Sequence, residues 1–120
     1  MRLRKVGNQR VWLSIDNIRT HIVFELRHKK NDPWFAQMTC SVFPNEIRLH
    51  WIQVKAPDTG KGYGRFLINQ LFKYKKRVIA STHAGALKFF LKMGFEPSPD
   101  NEIEDLYHIA WYPQWSKSSS

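Results

Sequence analysis

The chain has 120 residues, of which 42% are hydrophobic and 14% aromatic, and a formal net charge of +9. That length predicts a single domain, here residues 1–115 ahead of a serine-rich tail (116–120) expected to be disordered, and the composition excludes wholesale disorder. No apolar run reaches the ~18 residues that cross a bilayer, "MRLRKVGNQR" lacks the apolar stretch of a secretory signal, and the lone Cys40 can close no internal disulfide, so a soluble, cytoplasmic protein without membrane contact is expected.

The charge is unevenly spread. Residues 1–95 carry eighteen Lys and Arg against five acids, a net of +13, while Glu96, Asp100, Glu102, Glu104 and Asp105 crowd into ten residues. Such a body attracts anions: nucleic acid, a phosphorylated cofactor or an acidic protein. A merely solvated basic surface is the plain alternative.

Along the chain, "VWLSI" (11–15), "THIVFELRH" (20–28) and "WFAQMTCSVF" (34–43) are rich in β-branched and aromatic residues and predict three strands. "EIRLHWIQVK" (46–55) predicts a fourth, with Ile47, Leu49, Trp51 and Gln53 on one face and Glu46, Arg48, His50, Ile52 and Val54 on the other. "APDTGKG" breaks it, and residues 63–76 take up helical spacing through Phe66, Leu67, Leu71 and Tyr74. "RVIAS" (77–81) reads as a short strand and "HAGALKFFLKM" (83–93) as a helix stopped by Gly94. "EPSPDNEIED" is expected to be a loop and "LYHIAWY" (106–112) a last strand. The order strand ×4, helix, strand, helix, strand predicts an α+β (α/β) fold, a sheet flanked by helices.

A glycine-rich turn between a strand and a helix binds anions, because glycines allow positive φ and the first N–H groups of the helix have no intrahelical acceptor. Two common nucleotide loops are excluded. Lys61 is followed by Gly62 rather than Ser or Thr, and Gly60-Lys61-Gly62-Tyr63-Gly64-Arg65 places arginine where the dinucleotide fingerprint needs its third glycine. An ordinary flexible turn is the alternative.

"IQVKAPDTGKGYGRFLINQL" resembles the acetyl-CoA-binding segment of the GNAT-superfamily N-acetyltransferases, whose pattern is (Gln/Arg)-x-x-Gly-x-(Gly/Ala). "HAGALKFFLKMGFEP" resembles the later helix of that family, which ends in Gly-Phe. Together the two motifs span residues 47–97. The resemblance implies a mixed, mostly antiparallel GNAT-like sheet, trimmed at its N-terminus where the family has two helices. It also implies acetyl-CoA as co-substrate and transfer of an acetyl group to a primary amine by direct attack on the thioester. Backbone N–H groups of Gly60, Lys61, Gly62, Tyr63, Gly64 and Arg65 would cradle the pyrophosphate. The backbone of Ile52, Gln53 and Val54 would pair with the pantetheine arm, Val54 polarising the thioester carbonyl, and Phe90 would pack on that arm.

The departures from the pattern fall on the chemistry. Thr59 stands where the family has Gln or Arg, Phe90 where many members keep an acidic tyrosine, and Arg48 where some keep a glutamate base. An acceptor ammonium must lose a proton before it attacks. His50, Glu46 and His83 are the candidates, a histidine being suited by an ordinary pKa of ~6.5; a water relay, or purely structural roles for all three, are the alternatives. A GNAT fold that has lost catalysis and serves as a binding or structural protein, nucleic-acid-associated or a viral accessory, is the second reading. Direct nucleic-acid binding through "KYKKR" (73–77) is a third. The acceptor is expected to be protein-borne or anionic rather than a polyamine, which a +13 body repels. His21, His28 and His108 lack metal-ligand spacing, so no metal is expected.

Overall fold

Each predicted strand of the first half forms, and the reason is legible in burial. In β3 (His21–Arg27) Ile22, Phe24 and Leu26 are buried while the residues between them are half-exposed, the period of two that a one-sided sheet imposes. The computed structural model describes residues 1–103 and 106–113, with backbone alone for 98–103; the expected tail at 116–120 lies outside the described residues. Before β3 come β1 (Arg2–Val6) and β2 (Gln9–Ile18); after it come β4 (Ala36–Val42), β5 (Glu46–Val54), α1 (Tyr63–Phe72), β6 (Arg77–His83), α2 (Ala84–Lys92), β7 (Glu96–Ile103) and β8 (Leu106–Trp111). They make one sheet in the order β1-β2-β3-β4-β5-β6-β8-β7. Every pairing is antiparallel except β5–β6, which α1 joins in parallel.

Both helices pack on one face of the sheet. Leu67, Ile68 and Leu71 of α1 and Phe90 of α2 share a single core with Ile22, Phe24, Met38, Ile47, Val78 and Ile109 from the strands. Fully burying a side chain of this kind stabilises by ~1.5–3 kcal/mol. No helix precedes α1, so the opposite face carries no helical cover among the described residues. No helix among them is long and apolar enough to cross a membrane.

Four local expectations change. Arg2–Val6 is a strand, unmarked in the sequence because an edge strand tolerates the charges of Arg2, Arg4 and Lys5. Glu96–Ile103 is a strand rather than a loop; β7 is the other edge, where proline is admissible, and its pairing is irregular between Pro97 and Glu102. Residues 104 and 105 of that segment are outside the described residues. Helix α1 stops at Phe72 rather than 76, since Lys75 takes a positive φ of 55° and the last turn holds no basic residue. Finally, the faces of β5 exchange part-way along, as described below. Helix α2 ends as the sequence indicates: Gly94 at φ 100° donates to the Leu91 carbonyl (3.1 Å) and Phe95 to that of Phe90 (3.1 Å). This left-handed cap also sets the Phe90 and Phe95 rings 5.3 Å apart.

Candidate active site

The one parallel pairing is short. Glu46, Arg48 and the residue between them meet Arg77–Ile79, after which β5 and β6 diverge. A cleft of about 340 Å³ opens between them, lined by His50, Ile52, Ala80, His83, Ala86 and Phe90 among others. The Lys55 N–H bonds the Phe35 carbonyl at 2.8 Å. Since successive residues of a strand point their backbone groups to opposite sides, Gln53 faces β4 whereas Ile52 and Val54 face away from it, and Ile52 lines the cleft. Ile52 and Val54 thus leave backbone N–H and C=O groups on the side away from β4.

A bulge shapes this strand. Cys40 lies opposite Leu49 and Thr39 opposite Trp51, so His50 is an extra residue with no partner across the pair. Beyond it the alternation slips by one. Ile47 and Leu49 are buried, but Trp51 is 40% exposed and Ile52 and Val54 pack against the core instead. The sequence-derived grouping of Ile52 and Val54 with Arg48 and His50 is therefore corrected: strict period-two counting fails at an inserted residue.

The glycine turn follows β5 directly. Gly60 and Gly62 have φ of 78° and 91°, and Gly62 caps α1 without a side-chain hydrogen bond. The first intrahelical bond runs from Phe66 N to Gly62 O. The N–H groups of Tyr63, Gly64 and Arg65 therefore lack intrahelical acceptors, and the positive end of the helix dipole adds to them. Asp58 braces the loop: it is 7% exposed, and its carboxylate meets His28 Nε2 at 2.9 Å and Lys61 Nζ at 3.5 Å. Burial raises the Asp58 carboxyl, but the His28 hydrogen bond and the charges of His28 and Lys61 outweigh it and hold the group below its ordinary value. Tyr63 is buried with no hydrogen-bond partner for its Oη among the described residues, its ring edge-on to Phe35 at 4.7 Å. Arg65 is exposed on the first turn.

Of the three acid–base candidates, His50 borders both this cleft and a wider one of about 780 Å³, whose rim includes Arg48, Arg77, Glu96, His108 and Tyr112. His83 precedes α2 in extended conformation and borders the smaller cleft. Glu46 lies at the paired base of β5, bonded to Arg48 Nε at 2.7 Å and to Arg77; hydrogen bonds from Arg48 and Arg77 hold its carboxyl below the ordinary glutamate value. Two residues outside the three candidates join His50: Ser41, which sequence reasoning passed over, and His21, which it weighed only as a metal ligand. The Ser41 hydroxyl lies 2.6 Å from His50 Nε2 and 3.2 Å from His21 Nδ1. Their contact depends on strand register, which no local pattern encodes. Among the described residues, no group of three or more His, Cys, Asp or Glu is placed to hold a metal ion.

The sequence matches no family profile. An uncharacterized N-acetyltransferase of Shouchella clausii is 31% identical over 70 residues, covering 57% of this chain and 42% of that protein, so the chain spans under half the relative's length. Among solved structures, the PaiA N-acetyltransferase of Thermoplasma acidophilum in complex with coenzyme A superposes with a TM-score of 0.66 at 14% identity, over 78% of this chain and 61% of that one. The chain has the GNAT N-acetyltransferase fold. The ribosomal-protein-S18-alanine N-acetyltransferase of Escherichia coli (TM-score 0.62, 20% identity, 79% and 70% covered) and Tetrahymena GCN5 (0.65, 15%, 79% and 69%) share it. Among the described residues the fold is built from eight strands and two helices, with a two-residue hairpin between β1 and β2.

Proposed function

We propose that the chain is an acetyl-CoA-dependent N-acetyltransferase acting on a primary amine. One arrangement carries the reading: the splay of β5 from β6 is continuous with the N–H-rich turn that opens α1, so one extended, anionic ligand can run along both. Relatives named as N-acetyltransferases, and a structural neighbour in complex with coenzyme A, support it.

The residues present fit that ligand. The backbone of Gly60 through Arg65 supplies donors for a pyrophosphate, Lys61 and Arg65 supply charge, Ile52 and Val54 offer a strand edge with Gln53 between them, and Phe90 lines the cleft beside it. Acetyl-CoA supplies an activated acetyl group. The chain's part is to hold that group, offer the Val54 N–H to the carbonyl oxygen, and take a proton from the acceptor ammonium. We assign the proton to His50, the one candidate bordering both clefts; His83 borders the smaller one alone, and Glu46 is occupied by two guanidiniums. The acceptor enters from the wider cleft, where Arg48 and Arg77 favour an anionic or protein-borne amine over a polyamine.

Thermal melting with acetyl-CoA tests the first step. Ligand at ~100 times its Kd stabilises by ~2.7 kcal/mol, and an unmoved melting temperature at saturating ligand would overturn the assignment. Thiol release over a panel of amines then tests transfer, with His50→Ala expected to lower kcat by ~10²–10⁴. The protein's own thiol does not interfere: burial pushes Cys40 up to about 12, so a disulfide reagent should titrate it only after denaturation.

A further inference from the structure

Ser41 is 4% exposed, a buried hydroxyl in the middle of the sheet, and it touches two imidazoles. His50 reaches it from the bulge of β5, and His21 reaches it from the start of β3, directly opposite in register. The two rings lie 6.2 Å apart, centroid to centroid. His21 is exposed, whereas His50 borders both the smaller cleft and the wider one from which the acceptor amine would enter. A serine hydroxyl has one hydrogen and two lone pairs, so between two ring nitrogens it donates to one and accepts from the other. Such a hydroxyl can pass a proton without a net charge of its own.

We propose that Ser41 and His21 are positioning residues forming a proton exit for His50; this rests on the transferase reading and on His50 as its base. In the starting arrangement His50 carries its hydrogen on Nε2 and donates it to Ser41 Oγ, while the Ser41 hydroxyl donates to His21 Nδ1. The acceptor ammonium gives a proton to the bare His50 Nδ1. The Nε2 hydrogen moves to Ser41 Oγ, the former hydroxyl hydrogen moves to His21 Nδ1, and His21 releases its Nε2 hydrogen to a solvent water. One proton enters, one leaves, and the amine nitrogen is left with the lone pair that attacks. The other charged or titratable groups bordering the clefts beside His50 are Arg48, Arg77, Glu96, His108, Tyr112 and His83. Arg48 and Arg77 are held by Glu46, and His108 Nδ1 is 2.9 Å from the Ser81 hydroxyl. The bulge residue His50 thus meets Ser41 through Nε2 and also borders both clefts.

Two measurements on the full chain test this. Nitrogen NMR of the histidine rings, which needs no substrate, should show the same tautomer at both rings, with the hydrogen on Nε2 of His50 and on Nε2 of His21. Ser41→Ala should abolish that correlation and Ser41→Thr should keep it. In thiol-release kinetics, Ser41→Ala and His21→Gln should each lower kcat by roughly tenfold with an unchanged KM for acetyl-CoA, and Ser41→Thr should restore it. The exposed position of His21 makes the Gln variant safe for folding even where Ser41→Ala is not. Unaltered tautomers in Ser41→Ala, or a kcat within about twofold of wild type in His21→Gln, would overturn the exit. A wild-type chain that binds no acetyl-CoA instead overturns the transferase reading, and the tautomers still judge the hydrogen-bonded chain.

Discussion

Glycines 62 and 64 sit two residues apart and do opposite things. Gly62 has a φ of 91° with open space around its missing Cβ, so its requirement is one of backbone conformation. Gly64 has helical backbone, and a Cβ there would lie 3.4 Å from Phe89 Cζ, an ordinary contact. Gly62→Ala should therefore cost ~1–2 kcal/mol and weaken acetyl-CoA binding with it. Gly64→Ala should leave stability unchanged or raise it by up to ~1 kcal/mol, the helix-propensity gain. Melting curves of the two variants decide this; a lower Tm for Gly64→Ala than for Gly62→Ala would show that helix-to-helix contact, not backbone conformation, sets the requirement. "TGKGYG" was legible as a glycine turn that opens a helix, but its sequence does not say which glycine serves the backbone and which sits at the helix contact.

At the scale of elements, β5 decides most of the site. Its first residues pair with β6, its middle carries the bulge, and its end leads into the glycine turn. Glu46 ties the paired end to both Arg48 and Arg77. Because its folded value lies below the ordinary glutamate pKa of ~4.3, the stability it contributes is complete above that pH and is lost as pH falls through the lower folded value. Glu46→Gln should flatten the acid limb of Tm against pH below ~4, by a small amount since the pair is solvent-screened. An acid limb as steep as that of wild type would assign the linkage to other carboxylates, Asp58 first. The strands and both helices were legible because each repeats its period over enough residues. The bulge was not, because an inserted residue shows only against the partner strand, and the edge strands β1 and β7 were not, because edges tolerate the charges and prolines that elsewhere break a sheet.

For the whole molecule, charge and cover matter most. The described body is strongly cationic, and the ligand we assign is a polyanion, so part of the affinity should be long-range attraction. Acetyl-CoA binding is expected to weaken several-fold between ~0.1 M and ~1 M salt, as the screening length falls from ~10 Å to ~3 Å. Calorimetric titration at several salt concentrations measures it; a constant Kd would place the affinity in the backbone cradle alone. The core is one-sided, and Leu71, fully buried where α1 meets it, is a test of its integrity. Leu71→Ala should cost ~2–5 kcal/mol by chemical denaturation, whereas a loss under 1 kcal/mol would mean that α1 is only loosely seated.

The sequence by itself determined the alternation of apolar residues, the turn chemistry at 59–64, the Gly94 cap and the excess of cations, because each is a property of neighbours along the chain. It thereby determined the fold class. The tertiary structure decided what depends on register between distant strands: the splay of β5 from β6, the bulge that brings His50 out, and the meeting of His21, Ser41 and His50 from three strands. Pairing energy is spread over whole strands, so a one-residue slip is written in no single residue of the sequence, yet it moves every side chain beyond it to the other face.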